Sequence, residues 1–577
     1  MTRAHPETDV VIVGCGWVGG ILAAELTKAG ADVVVLERGP WRSREDVAGS
    51  RDEMLPRRLT HTQDTAADTW TLRHDRREAA LPIRQAGAWT PGTGVGGSSM
   101  LYGGVLQRLQ PHDLVARTAL TERYGAAAIP ADSTLADWGI TYDDLAPDYD
   151  RFELMAGVSG KAGANPFEGP RMGEYPMPPL PPTPGPTLFA DAARRLGLHP
   201  FPVPNGTLPL PYTNPDGVSR PACTRCGYCI GTPCETGAKA DALATVLPVA
   251  FRSGRMDLRC DSTVFRVTHR DGRADGVLYR DAEGEVHHQR GRVVVLAGYT
   301  FTNVRLLLLS RLGTPYDPAT GTGTVGANYS YNLLTTGAAF FADRRMASHI
   351  GAGGAAEYVA DFNADNVDHT GLGFVGGGLL WSAAHVTGPI GGAILPPGTP
   401  RWGSEFTRAL RKWHDRVVLG VGHGEVLPYR DHTIDLDPVY RDAFGDPLAR
   451  ITFDWKPNER ALHAFLRARL SEILHEMGPT IVGEPSDLEP HFDTTRYQST
   501  HNTGGAIMGA DPAMSTVDTT MRMWEAENVW VVGGSAFPQS AGTGPTATIC
   551  ALAYRASDAI RAHLGSPRPE RTAQSRN

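Results

Sequence analysis

Basic charge is in deficit. The chain carries 55 lysines and arginines against 63 aspartates and glutamates, a net charge of -8. A nucleic-acid binder shows a basic patch or stripe, so no nucleic-acid partner is expected. Long apolar runs are missing too. None approaches the roughly 18 residues that span a bilayer, so no membrane span is expected. The opening "MTRAHPETDVVIVG" has no basic n-region, apolar h-region, cleavage site or twin-arginine pair. We expect no export signal in it and a cytoplasmic location, unless a partner subunit exports the chain by co-transport. Neither H-E-x-x-H nor a G-x-S-x-G elbow occurs, which leaves zinc protease and serine hydrolase chemistry unsupported. "DFNADNVDHTGL" (361–372) starts like a calcium loop with Asp361, Asn363 and Asp365. It lacks the sixth-position glycine and ends on Leu372 instead of a bidentate glutamate, so we read it as structural. Cysteine is scarce, with 7 in 577 residues, yet four fall in "CTRCGYCIGTPCETGAKA".

The length exceeds one compact core and implies two or more domains. "DVVIVG" reads as a buried parallel strand, "GWVGGILAAELTKAG" as a helix with a glycine stop, and "ADVVVLERG" as a second strand. Residues 40–80 are polar and arginine-rich, as in surface loops and short helices. "YPMPPLPPTPGPTLF" (175–189) predicts an extended connection. Residues 257–297 alternate like a β-meander with turns at "RDGR" and "AEGE", and "TNVRLLLLSRLG" is helical. The tail "SPRPERTAQSRN" reads as disordered.

"GCGWVG" places Gly14, Gly16 and Gly19 as G-x-G-x-x-G between strand and helix. The first glycine permits the turn. The second lets the backbone approach a pyrophosphate on the helix N-terminus. The third allows close helix–strand packing. Glu37 follows about 20 residues on, where an acid can bond a ribose hydroxyl. This unit predicts a dinucleotide and does not separate FAD from NAD.

Two distant segments separate them: "GTGVGGSSMLYGG" (92–104) and "NVWVVGGSAFPQSAGTGPTATICALAYRASDAI" (528–560). With the first unit they resemble the glucose–methanol–choline (GMC) flavoprotein oxidoreductases. "TVLPVAFRSG", "NVRLLLLSRLGTPYDPATGTGTVGANY", "DFNADNVDHTGLGFVGGG" and "STHNTGGAIMG" narrow the likeness to large subunits of the gluconate 2-dehydrogenase and fructose dehydrogenase type. The resemblance implies an α/β fold: a Rossmann-like FAD domain from 1–170, 200–335 and 490–565, a proline-rich connection at 171–199, and a substrate domain at 336–489 with a mostly antiparallel sheet. It implies that Gly14, Gly16, Gly19 and Glu37 hold the ADP part of FAD. Gly94, Gly96, Gly97 and Ser98 would line the pyrophosphate and flavin. Val264 would contact the adenine, and Gly534 and Ser535 would lie near the flavin end. Some members bind flavin covalently through a histidine after "GGSS". Here Leu101 and Tyr102 stand there, so the FAD should be non-covalent.

The family's active-site histidine matches His501. A neutral imidazole can accept the proton released when an alcohol is oxidised. The family's second residue, asparagine or histidine before the last helix, is replaced by Gly544. A bound water, a neighbour such as Asn502, or a diverted reaction are the alternatives.

The cysteines Cys223, Cys226, Cys229 and Cys234 have spacing C-x2-C-x2-C-x4-C. Soft sulfur ligands suit an iron–sulfur cluster or zinc, and disulfides are a third reading. The resemblance favours a three-iron (3Fe-4S) cluster on Cys223, Cys229 and Cys234, with Cys226 a fourth ligand or spare. It implies a dehydrogenase of an alcohol group in a sugar, sugar acid or glycosylated compound, with a small partner subunit and a cytochrome-like acceptor. The rivals are an oxygen-using carbohydrate oxidase, a non-redox lyase retaining FAD, and an inactive subunit.

Overall fold

In the computed structural model, residues 2–47, 61–85, 89, 91–347, 350–384, 394–496 and 499–565 are described. The expected disordered tail, 566–577, lies outside them.

The first layer grows from the apolar run at the N-terminus. Strand Arg3–Val13 pairs in parallel with Val33–Leu36 on one side and Val286–Leu296 on the other. Met256–Arg259 extends the sheet beyond Val33–Leu36, and Val529–Val531 joins Val286–Leu296, both in parallel. Residues 10–12 and 293–296 are fully buried, as for parallel strands inside a sheet. Helix Trp17–Lys28 covers one face and packs against the C-terminal helix Thr546–Gly565. The predicted meander is present as antiparallel strands Thr263–Arg270, Arg273–Arg280 and Val286–Leu296. Chain from both ends and the middle thus builds one seven-stranded sheet.

A second sheet of six strands is antiparallel throughout. Its order is Ile481–Gly483, Asn332–Phe340, Val417–Glu425, Gly378–Ala383, Ala356–Val359 and Pro200–Pro202. Glycines explain its shape. A Cβ on Gly420, Gly422 or Gly424 would meet Leu466, Leu470 or Leu474 of helix Pro457–Glu476 at 2.8–3.5 Å. The glycines let that helix lie close on one face. Alternation then sends Val421, His423 and Glu425 to the opposite face.

Two local readings differ from the structure. The proline-rich stretch turns helical at its end, where helix Pro184–Arg195 begins. The helix's two prolines, Pro184 and Pro186, fall in its first turn, where a missing N–H costs no helical bond. The segment 40–80 contains strand Thr71–Arg73, which pairs with Pro447–Thr452. Pairing across more than 370 residues leaves no local periodicity to read. In the calcium-like loop, Asp361 bonds His199 and Asp365 bonds Arg123 and Tyr124.

Candidate active site

The glycine loops meet at the C-terminal rim of the parallel sheet. Gly96 N–H donates to Cys15 O at 2.8 Å, and a Cβ on Gly97 would lie 3.2 Å from Gly16 Cα. Gly94 and Gly96 have φ of 99° and 93°, the left-handed region that suits glycine. Glu37 ties the loops together. Its carboxylate accepts from Cys15 N at 2.8 Å, Gly39 N at 2.9 Å and Gly94 N at 3.3 Å. Burial raises its pKa, and the three N–H groups oppose that rise. Val264 follows Ser262, whose N–H bonds Glu37 O at 2.9 Å, so it stands on the same rim. Ser98 Oγ accepts from Gly92 N at 2.9 Å.

This rim suits a dinucleotide. A Cβ on Gly16 would meet none of the described residues within 4 Å, so open space lies at the N-terminus of helix Trp17–Lys28. A Cβ on Gly19 would lie 2.0 Å from Gly14 O, which fixes the close helix–strand approach. The residues predicted to hold FAD, Gly14, Gly16, Gly19, Glu37, Gly94, Gly96, Gly97 and Ser98, are brought together here. A group bound there would be held by backbone N–H donors and the positive end of the helix.

Gly534 and Ser535 form the floor beside the 501–506 loop. Gly504 N bonds Gly534 O at 3.0 Å and Ala506 N bonds Ser535 O at 2.9 Å. Asn303 Nδ2 donates to Ser535 Oγ at 3.0 Å. His501 is thereby seated between the two sheets.

The orientation of His501 is determined by Asn332, at the start of its strand. Asn332 Nδ2 donates to Gly424 O at 3.2 Å and Ala541 O at 2.8 Å, so its Oδ1 must be the acceptor. His501 Nδ1, 3.1 Å away, therefore carries the hydrogen. The lone pair then lies on Nε2. That edge faces Gly544, whose added Cβ would stand 3.3 Å from Cε1 and 3.5 Å from Nε2. Burial pushes the His501 pKa down to about 4, which keeps the ring neutral.

Asn502 is occupied elsewhere. Tyr329 OH donates to its Oδ1 at 2.6 Å, its Nδ2 donates to Tyr299 OH, and its carbonyl accepts from Thr300. Its side chain braces the loop and is not placed beside His501 Nε2. Sequence reasoning missed two neighbours, Asn332 and His423. The His423 ring centroid lies 5.3 Å from that of His501. Both come from sheet strands without motif spacing, so only cross-strand register reveals them.

The four cysteines line one pocket with Thr207, Tyr228, Thr232 and Lys239, and all four are free thiols. Among the described residues, only Asp281, Glu285 and His287 bring three ligand atoms within 4.8 Å of one another, so no three cysteine sulfurs do. Lys239 is fully buried. Its ammonium donates to the carbonyls of Met100, Tyr102, Cys229 and Thr232 at 2.7–3.1 Å. This ties the cysteine loop to the segment following the second glycine loop. Burial raises Cys223 to about 11 and also raises Cys229, where Lys239 opposes the rise. At Cys234 burial acts upward too, but the Thr236 hydroxyl and Lys239 outweigh it and lower the pKa.

Fold and site together define a FAD-dependent oxidoreductase of alcohol groups, a dinucleotide rim and a neutral, half-buried histidine. Family descriptions agree: "GMC oxidoreductase" matches residues 215–333 and 428–553, and "FAD binding domain" matches 7–53. The gluconate 2-dehydrogenase flavoprotein of Pantoea cypripedii is 40% identical, covering 98% of this chain and 95% of that protein. The chain belongs to the GMC oxidoreductase family. The 2-methyl-1,2-propanediol dehydrogenase of Mycolicibacterium austroafricanum is 29% identical, covering 100% and 99%. The fructose dehydrogenase large subunit of Gluconobacter japonicus is 26% identical, covering 97% and 99%. The crystal structure of pyridoxine 4-oxidase from Mesorbium loti shares the fold, with TM-score 0.62, 16% identity and coverage of 96% and 100%.

Proposed function

We propose that this enzyme oxidises an alcohol group of a sugar, sugar acid or glycosylated compound to a carbonyl and passes the electrons to a protein acceptor. The observation that carries this reading is the imidazole of His501, with Nδ1–H bonded to Asn332 and Nε2 facing the gap at Gly544. FAD, when bound, would supply the two-electron acceptor for the reaction. His501 Nε2 takes the hydroxyl proton, and Asn332 holds the ring in the required tautomer. The relatives named for gluconate, 2-methyl-1,2-propanediol and fructose support a polyhydroxy substrate. One of them is named a large subunit, which supports a small partner subunit here. Such a partner would also decide whether the chain stays cytoplasmic or is exported. Anaerobic mixing with a panel of sugars, sugar acids and diols should bleach the flavin absorbance. If no member of the panel does so, the reading fails. Oxygen uptake by the reduced enzyme would indicate an oxidase instead.

The flavin is held without a covalent bond, because Leu101 and Tyr102 offer no histidine after the glycine loop. Acid precipitation should release yellow FAD into the supernatant. Colour in the pellet would contradict this.

The cysteine pocket is read as a site for an iron–sulfur cluster, which would supply one-electron transfer to an external acceptor. Electron transfer favours that reading over zinc, which has no redox chemistry. Burial lowers the Lys239 pKa while Cys229 and Cys234 push it back up, and Lys239 in turn draws both thiols toward the thiolates a sulfur centre needs. Enzyme purified without air should contain about three irons and about four sulfides per chain. Stoichiometric zinc without iron would make the segment a structural clip and remove the relay.

A further inference from the structure

Gly544 leaves the wall nearest His501 Nε2 without a side chain. The opposite wall supplies one. His423 lies on the central strand Val417–Glu425, opposite Leu334 and Leu379 in register. The glycines at 420, 422 and 424 turn toward helix Pro457–Glu476, so His423 points the other way, to the face where Asn332 holds His501. The two imidazoles meet with centroids 5.3 Å apart and planes inclined by 55°. His423 is 5% exposed, yet its Nε2 has no hydrogen-bond partner among the described residues. Leaving a buried ring nitrogen unpaired is costly, so folded proteins rarely keep one without a use. The neighbouring loop shows the same pattern. Thr543 Oγ1 and both amide atoms of Asn363 are buried without partners among the described residues, and Asn363 lies against Gly542. Burial lowers the pKa of His423 well below the usual histidine value, which keeps it neutral, with one donor and one acceptor nitrogen.

We propose that His501 and His423 form a two-imidazole clamp for a vicinal diol, in which His501 takes the proton of the hydroxyl being oxidised and His423 hydrogen-bonds the neighbouring hydroxyl. This rests on the alcohol-oxidation reading above. The carbon bearing the first hydroxyl loses hydride to the flavin, its O–H proton goes to His501 Nε2, and its C–O bond becomes C=O. The second hydroxyl keeps its bonds. Two rings this close address oxygens on adjacent carbons, not oxygens several carbons apart. His423 thus makes the polar contact that Gly544 cannot make, and the clamp selects sugars, sugar acids and 1,2-diols over simple alcohols.

The test compares substrates differing by one hydroxyl. Suitable pairs are 2-methyl-1,2-propanediol with 2,2-dimethyl-1-propanol, and D-glucose and D-gluconate with their 2-deoxy forms. Flavin reduction is followed anaerobically in the wild-type holoenzyme, His423→Phe and His423→Gln. The wild type should prefer the diol member by about tenfold or more in kcat/KM, the size of one hydrogen bond lost from a site built to make it. His423→Phe should lose that preference through the diol member alone. His423→Gln, which retains a donor, should recover most of it. Unchanged flavin absorbance and Tm establish that the variants fold. Equal rates on both members in the wild type, or equal losses on both in His423→Phe, overturn the clamp and leave alcohol oxidation standing. If no probe reduces the flavin, both readings fall.

Discussion

His501→Ala should retain FAD and lower kcat by about 10²–10⁴, the usual size of a general-base contribution. The geometry explains why three of its neighbours cannot compensate. Asn332 takes the Nδ1 hydrogen, Asn502 is held by Tyr299 and Tyr329, and Gly544 has no side chain. The pH profile provides a second check. A base must be neutral to accept a proton, and burial lowers His501 to about 4. The acid limb of kcat/KM should therefore fall near pH 4 and not near 6.5. Stability follows the same sign. In the unfolded chain this histidine binds a proton near pH 6.5, and in the folded protein only near 4. Its contribution is full above about 6.5 and is lost as pH falls toward 4. His432 and His463, each lowered to about 4 by burial, add to the same loss. Unchanged turnover in His501→Ala would remove it from the reaction.

Two neighbouring glycines should fail in different ways. Gly16→Ala should fold and lose flavin. Its φ of -83° suits any residue, and the added methyl would meet none of the described residues within 4 Å. The methyl would instead enter the space kept for the pyrophosphate. FAD affinity should fall tenfold or more, at least about 1.4 kcal/mol. Gly19→Ala should disturb the fold itself, because its methyl would stand 2.0 Å from Gly14 O and push the helix off the strand. Flavin titration of the refolded apoproteins, with Tm measured alongside, separates the two outcomes. Full flavin content in Gly16→Ala would place the dinucleotide elsewhere.

The local pattern of the chain determined the nucleotide-binding half. The apolar run at 10–13, the glycines at 14, 16 and 19 and the acid at 37 are close in sequence, and the strand–turn–helix they build is complete within one short segment. The meander at 263–296 was legible for the same reason, since its partners are consecutive. His501 was legible only through resemblance, because one histidine among nineteen has no local mark. The tertiary structure decided how the histidine is used. Asn332 and His423 approach it from strands 169 and 78 residues away in the chain (501 - 332 and 501 - 423). What brings them there is cross-strand register and the glycine-faced packing of helix Pro457–Glu476, and neither leaves a periodic trace beside either residue. Asn502 shows the converse. Adjacency to His501 suggested a shared task, but successive side chains on an irregular loop diverge, and buried Tyr329 with half-buried Tyr299 turns its amide away. Sequence spacing specifies chemistry where the ligands are local. Where a site is assembled between two sheets, side-chain direction decides it, and that direction comes from packing.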